Sequence, residues 1–166
     1  MTTATDPMNV LTRFKETMKI RIFGFTQIPM IWFVAPRVID VGLEHTEIVI
    51  PLNRRTQNHL GSMYFGSLAV GADLAGGLLF MNLAAEAKIK TSFVFKDMTA
   101  KFLKRADGDV HFICKSGHAV KSLVEQVQNS EERHETTLDI KATVPSKYGD
   151  EAVANFTLTL SVKRKS

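Results

Sequence analysis

One acid, Asp73, stands within a stretch from Tyr64 to Ala85 that has no basic residue and places small or apolar groups on every face of a helix. A helix apolar all round is a buried helix, and a carboxyl group taken out of water is either hydrogen-bonded or put to use. Desolvation favours the neutral acid and makes the carboxylate more basic. Such a group suits a general base acting on water, or a nucleophile attacking a carbonyl directly. The plainer reading is a structural acid bonded to a serine or a backbone group.

A polar turn with further candidates precedes this helix. The backbone N–H groups of Phe65 and Gly66 fall at the predicted helix start, where donors lack partners and the dipole favours developing negative charge. They would hold a carbonyl oxygen as an oxyanion hole does, while Gly66 would also permit close packing of helix on sheet. Asn58 either orients water or a carbonyl, or forms an Asx turn into the helix. His59, fourteen residues before Asp73, is a second candidate base or an exposed turn residue.

The elements that must position these groups are legible in order. The chain has 166 residues, 45% of them hydrophobic, which fits one domain with its own core. Its single cysteine, Cys114, cannot form an internal disulfide and reads as a buried small hydrophobe in a reducing, cytoplasmic setting. Met1 to Pro7 has no basic segment followed by an apolar one, so no secretory signal is expected. Tyr64 to Ala85 is long enough to span a bilayer, but Asp73, Asn82 and four glycines argue for a core helix instead. No metal-ligand spacing is present. A net charge of +4 favours anionic partners, yet no aromatics interleave with the basic residues, so nucleic acid is not expected. Lys163, Arg164 and Lys165 read as a solvated tail.

Asp6 and Pro7 fit an N-cap and first turn, and Val10, Leu11, Phe14, Met18 and Ile22 then recur at helical spacing, predicting an amphipathic helix to about Gly24. Ile28 to Ala35, broken by Pro29, reads as an apolar loop or lid. Its Met30, Ile31, Trp32 and Phe33 either pack in the core or line an acyl channel. Val38 to Leu52 predicts two short strands around Gly42 to His45, and Asn53 to Asn58 a polar loop. Ser62 is the expected N-cap of the long helix. Ser92 to Arg105 reads as a strand, and Ala106-Asp107-Gly108-Asp109 as a hairpin turn into Val110, Phe112 and Cys114. Val120, Leu123, Val124 and Val127 give a short helix. Two alternating runs, Leu138 to Val144 and Ala154 to Val162, complete the pattern. The sum is an α+β chain, a curled antiparallel sheet of five or six strands around one long helix.

Asn58-x-x-Gly61-x-x-Tyr64-Phe65-Gly66 followed by Asp73 resembles the pattern of the phenylacetate-pathway type thioesterases, within the hotdog-fold acyl-CoA thioesterases. There the corresponding turn carries His-Gly-Gly, and the helical acid follows at the same interval. Met98 to Val110 is similar to the strand and hairpin those enzymes place beside the central helix. The resemblance covers about residues 36 to 164, so that residues 1–35 are an N-terminal helix and apolar loop appended to a single hotdog domain of residues 1–166. It implies a homodimer or dimer of dimers with sites shared between chains, so that Asn58 of one chain works with Asp73 of the next. It also implies hydrolysis of an acyl thioester with coenzyme A as part of the substrate and no other cofactor. Gly61, Tyr64 and His59 would then touch substrate, and Arg54, Arg55, Lys104 and Arg105 would meet its phosphates. Only the last glycine of His-Gly-Gly is kept here. An acyl-binding module without turnover and a dehydratase using His59 with Asp73 are the rival readings on the same fold.

Overall fold

The computed structural model describes residues 8–165. The elements run α1 (Val10–Gln27), α2 (Pro29–Val34), β1 (Arg37–Val41), β2 (Thr46–Ile50), α3 (Phe65–Glu86), β3 (Thr91–Phe102), β4 (Val110–Cys114), α4 (Gly117–Gln128), β5 (Arg133–Thr143), α5 (Pro145–Tyr148) and β6 (Ala152–Arg164). The strands form one six-stranded sheet in the order β1-β2-β4-β5-β6-β3, every pair antiparallel. The sheet curls around α3, which is the hotdog arrangement.

The alternating runs become the centre of the sheet. Leu138, Ile140 and Ala142 of β5 lie opposite Leu158, Phe156 and Ala154 of β6, and all six are buried. Period-two alternation puts these side chains on one face, where α3 covers them. By length and composition α3 is the one helix among the described residues that could cross a membrane, and its burial inside the sheet marks it as a core helix. Its contact is close because the sheet-facing side chains are small. A Cβ on Gly71 would sit 2.3 Å from the Phe112 ring, so only glycine lets the helix backbone lie against that side chain. On α4, Val120, Leu123, Val124 and Val127 all face the core as their spacing predicts.

Five expectations change. The β3–β4 hairpin does not form: β3 pairs with β6 at the sheet edge, while β4 lies between β2 and β5. The turn residues Ala106 to Asp109 are present, but β4 pairs with β2 and β5, and Val110, Phe112 and Cys114 are fully buried on one face there. Ile28 to Ala35 is not a loop but contains α2, with Pro29 at its first turn, where a missing N–H costs nothing. Helix α1 runs past Gly24 to Gln27. Asn9 caps it, its Oδ1 accepting from the Thr12 N–H at 2.8 Å, and the Asp6–Pro7 cap lies outside the described residues. Ser62 does not cap α3; the cap position is Tyr64, without a side-chain hydrogen bond. Lys163 and Arg164 are not a free tail but the exposed end of β6, where Arg164 Nη1 donates to the Gln128 carbonyl at 2.9 Å.

The close approach at Gly71 gives a test by sign. Gly71→Ala gains about 1 kcal/mol of helix propensity but forces the buried Phe112 ring aside, an overpacking cost of about 1–3 kcal/mol. We expect a net loss of stability in urea unfolding. In a Phe112→Leu background, which frees that space, the same substitution should stabilise. Equal effects in both backgrounds would show that Gly71 is not held by this contact.

Candidate active site

The polar turn before α3 is a closed unit. The Asn58 N–H donates to the Ser62 carbonyl at 2.7 Å and the Gly61 N–H to the Asn58 carbonyl at 3.1 Å. Gly61 takes φ +74°, the left-handed conformation that favours glycine. The Asn58 side chain works inside this turn: Oδ1 accepts from the Leu60 and Ser62 N–H groups at 2.9 and 3.2 Å, and Nδ2 reaches Ser62 Oγ at 3.2 Å. This is the Asx-turn role. His59 is exposed at the tip, and the Tyr64 N–H returns to the Thr56 carbonyl at 2.8 Å to aim the chain into α3.

No side chain caps α3, so its first-turn amides at Phe65 and Gly66 are free to meet a ligand oxygen. The Tyr64 ring lies over this end. A Cβ on Gly66 would meet Tyr64 Cε1 at 2.6 Å, so glycine makes room for the ring, and the ring stacks at a tilt on Phe65, centroids 4.8 Å apart. Tyr64 and Phe65 are both exposed.

The predicted cations occupy two loops that touch. The Met63 N–H donates to the Ala106 carbonyl at 2.8 Å, tying the Asn53–Tyr64 loop to the segment after β3 near the start of α3. Lys104 bridges to Glu151 at 2.7 Å and sits over the Tyr148 ring. The Arg55 guanidinium lies over Phe33, 5.6 Å from its centroid, while Arg54 and Arg105 are exposed.

Asp73 lies two turns into α3, half-buried in the wall of a groove between α1 and α3 with a volume of about 550 Å³, the size of a ligand cleft. Leu74, Gly77, Leu78 and Met81 of α3 continue this wall, and Phe93 of β3 and Val41 of β1 contribute to it. Burial pushes the Asp73 carboxyl above its ordinary value, and among the described residues no hydrogen bond or cation offsets the rise. Farther along α3, Asn82 Nδ2 donates to the Gly42 carbonyl at 2.9 Å and pins the helix to the β1–β2 turn.

The opposite wall comes from Thr12, Glu16, Lys19, Ile20 and Phe23 of α1, none of them singled out from the sequence. Thr12, Glu16, Lys19 and Phe23 do carry a signal, since spacings of four, three and four place them on one helical face. That face is largely polar, so its pattern reads as solvent-facing. Of the apolar residues after α1, Ile31 lines the groove and Met30, Trp32 and Phe33 are exposed. Among the described residues no cluster of His, Cys, Asp or Glu could hold a metal ion.

Solved structures share this architecture. A Pseudomonas aeruginosa protein of unknown function, named as a probable thioesterase, matches with a TM-score of 0.73 at 23% identity, covering 90% of this chain and 96% of that one. A protein of unknown function from Chlorobaculum tepidum gives 0.77 at 14%, over 92% and 97%. A mutant thioesterase from Pseudomonas aeruginosa gives 0.63 at 17%, over 90% and 94%. At these identities the likeness carries the fold. No curated protein sequence matches the chain. The model of a family described as a domain of unknown function, DUF4442, matches residues 18–162, and the chain belongs to that family.

Proposed function

We propose that the chain hydrolyses acyl-CoA or a related acyl thioester, with Asp73 as base or nucleophile. The observation that carries this reading is a carboxyl group raised by burial in the groove between α1 and α3, on the same helix as an uncapped N-terminus. The names of the thioesterase neighbours agree with it. As a base, Asp73 takes a proton from water as the water oxygen bonds to the thioester carbon. The oxyanion is held by the Phe65 and Gly66 amides, and collapse expels the thiolate, which leaves protonated. As a nucleophile, the carboxylate displaces the thiolate to give a mixed anhydride, which water then cleaves. Arg54, Arg55, Lys104 and Arg105 supply positive charge for phosphates around the start of α3.

Helix geometry favours a site built from two chains. Gly66 and Asp73 are seven residues apart, about 10 Å along the axis. On the nucleophilic route the amide donors, the carbonyl and the carboxylate fit within about 7 Å, less than that spacing, which favours donors and acid from different helices. The oxyanion donors then come from one protomer and Asp73 from its partner. Strand β3 offers the contact: it is 12 residues long, is an edge strand of the sheet among the described residues and exposes Val94, Met98 and Phe102. An open edge of this kind pairs with another strand, and a second β3 across a two-fold axis continues the sheet.

Three outcomes are expected. First, wild type releases free thiol from one or more members of a panel of short, long and aromatic acyl-CoAs, and Asp73→Asn abolishes release without unfolding. The raised carboxyl adds a second readout. A group whose folded value lies above its ordinary 3.8 contributes stability below that pH and loses it as pH rises through the folded value. Asp73→Asn should therefore raise the thermal midpoint at neutral pH, with the advantage disappearing toward pH 3.8. A structural acid would instead lose stability when replaced. Binding of acyl-CoA without turnover would favour the binding module, and hydration of an enoyl-CoA lost on His59→Ala the dehydratase.

Second, Phe65→Pro deletes one helix-start N–H at a position where proline is tolerated. It should lower kcat by about 10²–10³ with secondary structure intact. Third, mixing inactive Asp73→Ala and Phe65→Pro protomers should restore activity to about a quarter of wild type, the share of intact sites on random two-fold pairing. No recovery on exchange would place both groups in one chain's site.

A further inference from the structure

Helix α1 is turned inside out relative to its own sequence pattern. Val10, Leu11, Phe14, Met18, Ile22 and Phe25 all face outward, with Val10 82% and Phe25 67% exposed. At 100° per residue they form one stripe about 120° wide. Helix α2 extends the surface through Met30, Trp32 and Phe33, and the Trp32 ring meets Phe25 edge-on at 5.8 Å. So broad an apolar surface marks a place of contact.

Its charge says what it meets. Residues 8–36 contain four basic side chains, Arg13, Lys15, Lys19 and Arg21, and one acid, Glu16, but Arg21 is turned inward onto the Ala35 and Pro36 carbonyls and the Nε of Arg13 is buried. Glu16 is turned into the groove and bonded to Lys19 at 2.6 Å. Lys15 follows the stripe along one side, and Arg55 stands over Phe33 at the α2 end. An apolar stripe with aromatic anchors and a basic border is the composition of a helix lying in the headgroup region of an anionic bilayer. A second copy is the poorer fit. An isologous contact would set Lys15 and Arg55 against their own duplicates, with Glu16 turned away into the groove, and α1 packs beside β1, at the opposite edge of the sheet from β3.

We propose that the outward face of α1 and α2 docks on anionic lipid bilayers, lying in the interface without spanning it, independently of the reading of Asp73. Trp32 is the only tryptophan and sits on this face, so its emission reports binding directly. The experiment adds vesicles of phosphatidylcholine with phosphatidylglycerol, or of phosphatidylcholine alone, to the full chain and follows Trp32 emission and co-flotation. We expect a blue shift and co-flotation with the anionic vesicles. Binding should weaken from about 0.1 M to about 1 M salt, as the screening length falls from about 10 to about 3 Å.

Phe14→Asp with Ile22→Asp should reduce binding about tenfold or more with circular dichroism unchanged, since both side chains are already in water. Lys15→Glu, which removes no apolar contact, should weaken binding to anionic vesicles alone. Unshifted Trp32 emission with anionic vesicles would overturn the proposal, as would equal binding to neutral ones. So would a halved mass of the double variant in light scattering, which would make a second copy the occupant.

Discussion

The structure rests on how closely α3 approaches the sheet. A helix carrying ordinary side chains stands about 10 Å from the strands beneath it. Here Gly71, Ala72, Ala75 and Gly76 let the backbone down onto Phe112 and Leu138. The curled sheet can then wrap the helix on several sides. Asp73 is not on the sheet-facing side but one position past Ala72, at the margin where the sheet stops and α1 begins. Its partial burial follows from that placement: close enough to the core to lose water, open enough to be reached through the groove.

Much of this was legible in the sequence because the strongest signals are periodic. Alternation at Leu138 to Val144 and Ala154 to Val162 describes strands covered on one face, and the buried ladder of β5 and β6 is that pattern realised. Pairing was less legible. Ala106 to Asp109 has good turn chemistry, but a turn constrains only its own four residues. It does not choose the partners of the strands it joins: β4, with Val110, Phe112 and Cys114 buried on one face, lies in the middle of the sheet and β3 at its edge. Asp73 stood out as an acid in an apolar run, and the Asn58 to Gly66 turn by its spacing. The groove did not, because its far wall is built from Thr12, Glu16 and Lys19, residues whose polarity reads as solvent-facing.

Helix α1 shows why. Periodicity tells which residues share a face and says nothing about where that face points. The usual assumption, apolar face inward, fails because the inner position of α1 is set by polar anchors: the Val38 N–H donates to Thr17 Oγ1 at 2.9 Å, and Arg21 donates to the Pro36 and Ala35 carbonyls at 3.1 and 3.3 Å. These bonds satisfy backbone groups beside β1 that an apolar face would leave orphaned.

The inversion also shapes the chemistry of the groove. A lone carboxylate at Glu16 would repel Asp73 and add to the rise caused by burial, whereas a lone ammonium at Lys19 would reverse it. Bonded to each other at 2.6 Å, the two present a nearly neutral dipole, and among the described residues burial is the cause of the rise at Asp73. The wall facing Asp73 is therefore polar enough to tolerate water in the groove and uncharged enough in sum to leave the carboxyl basic. An apolar inner face on α1 would have closed over Asp73 and driven it to the neutral acid, without the proton-accepting form that the proposed reaction requires.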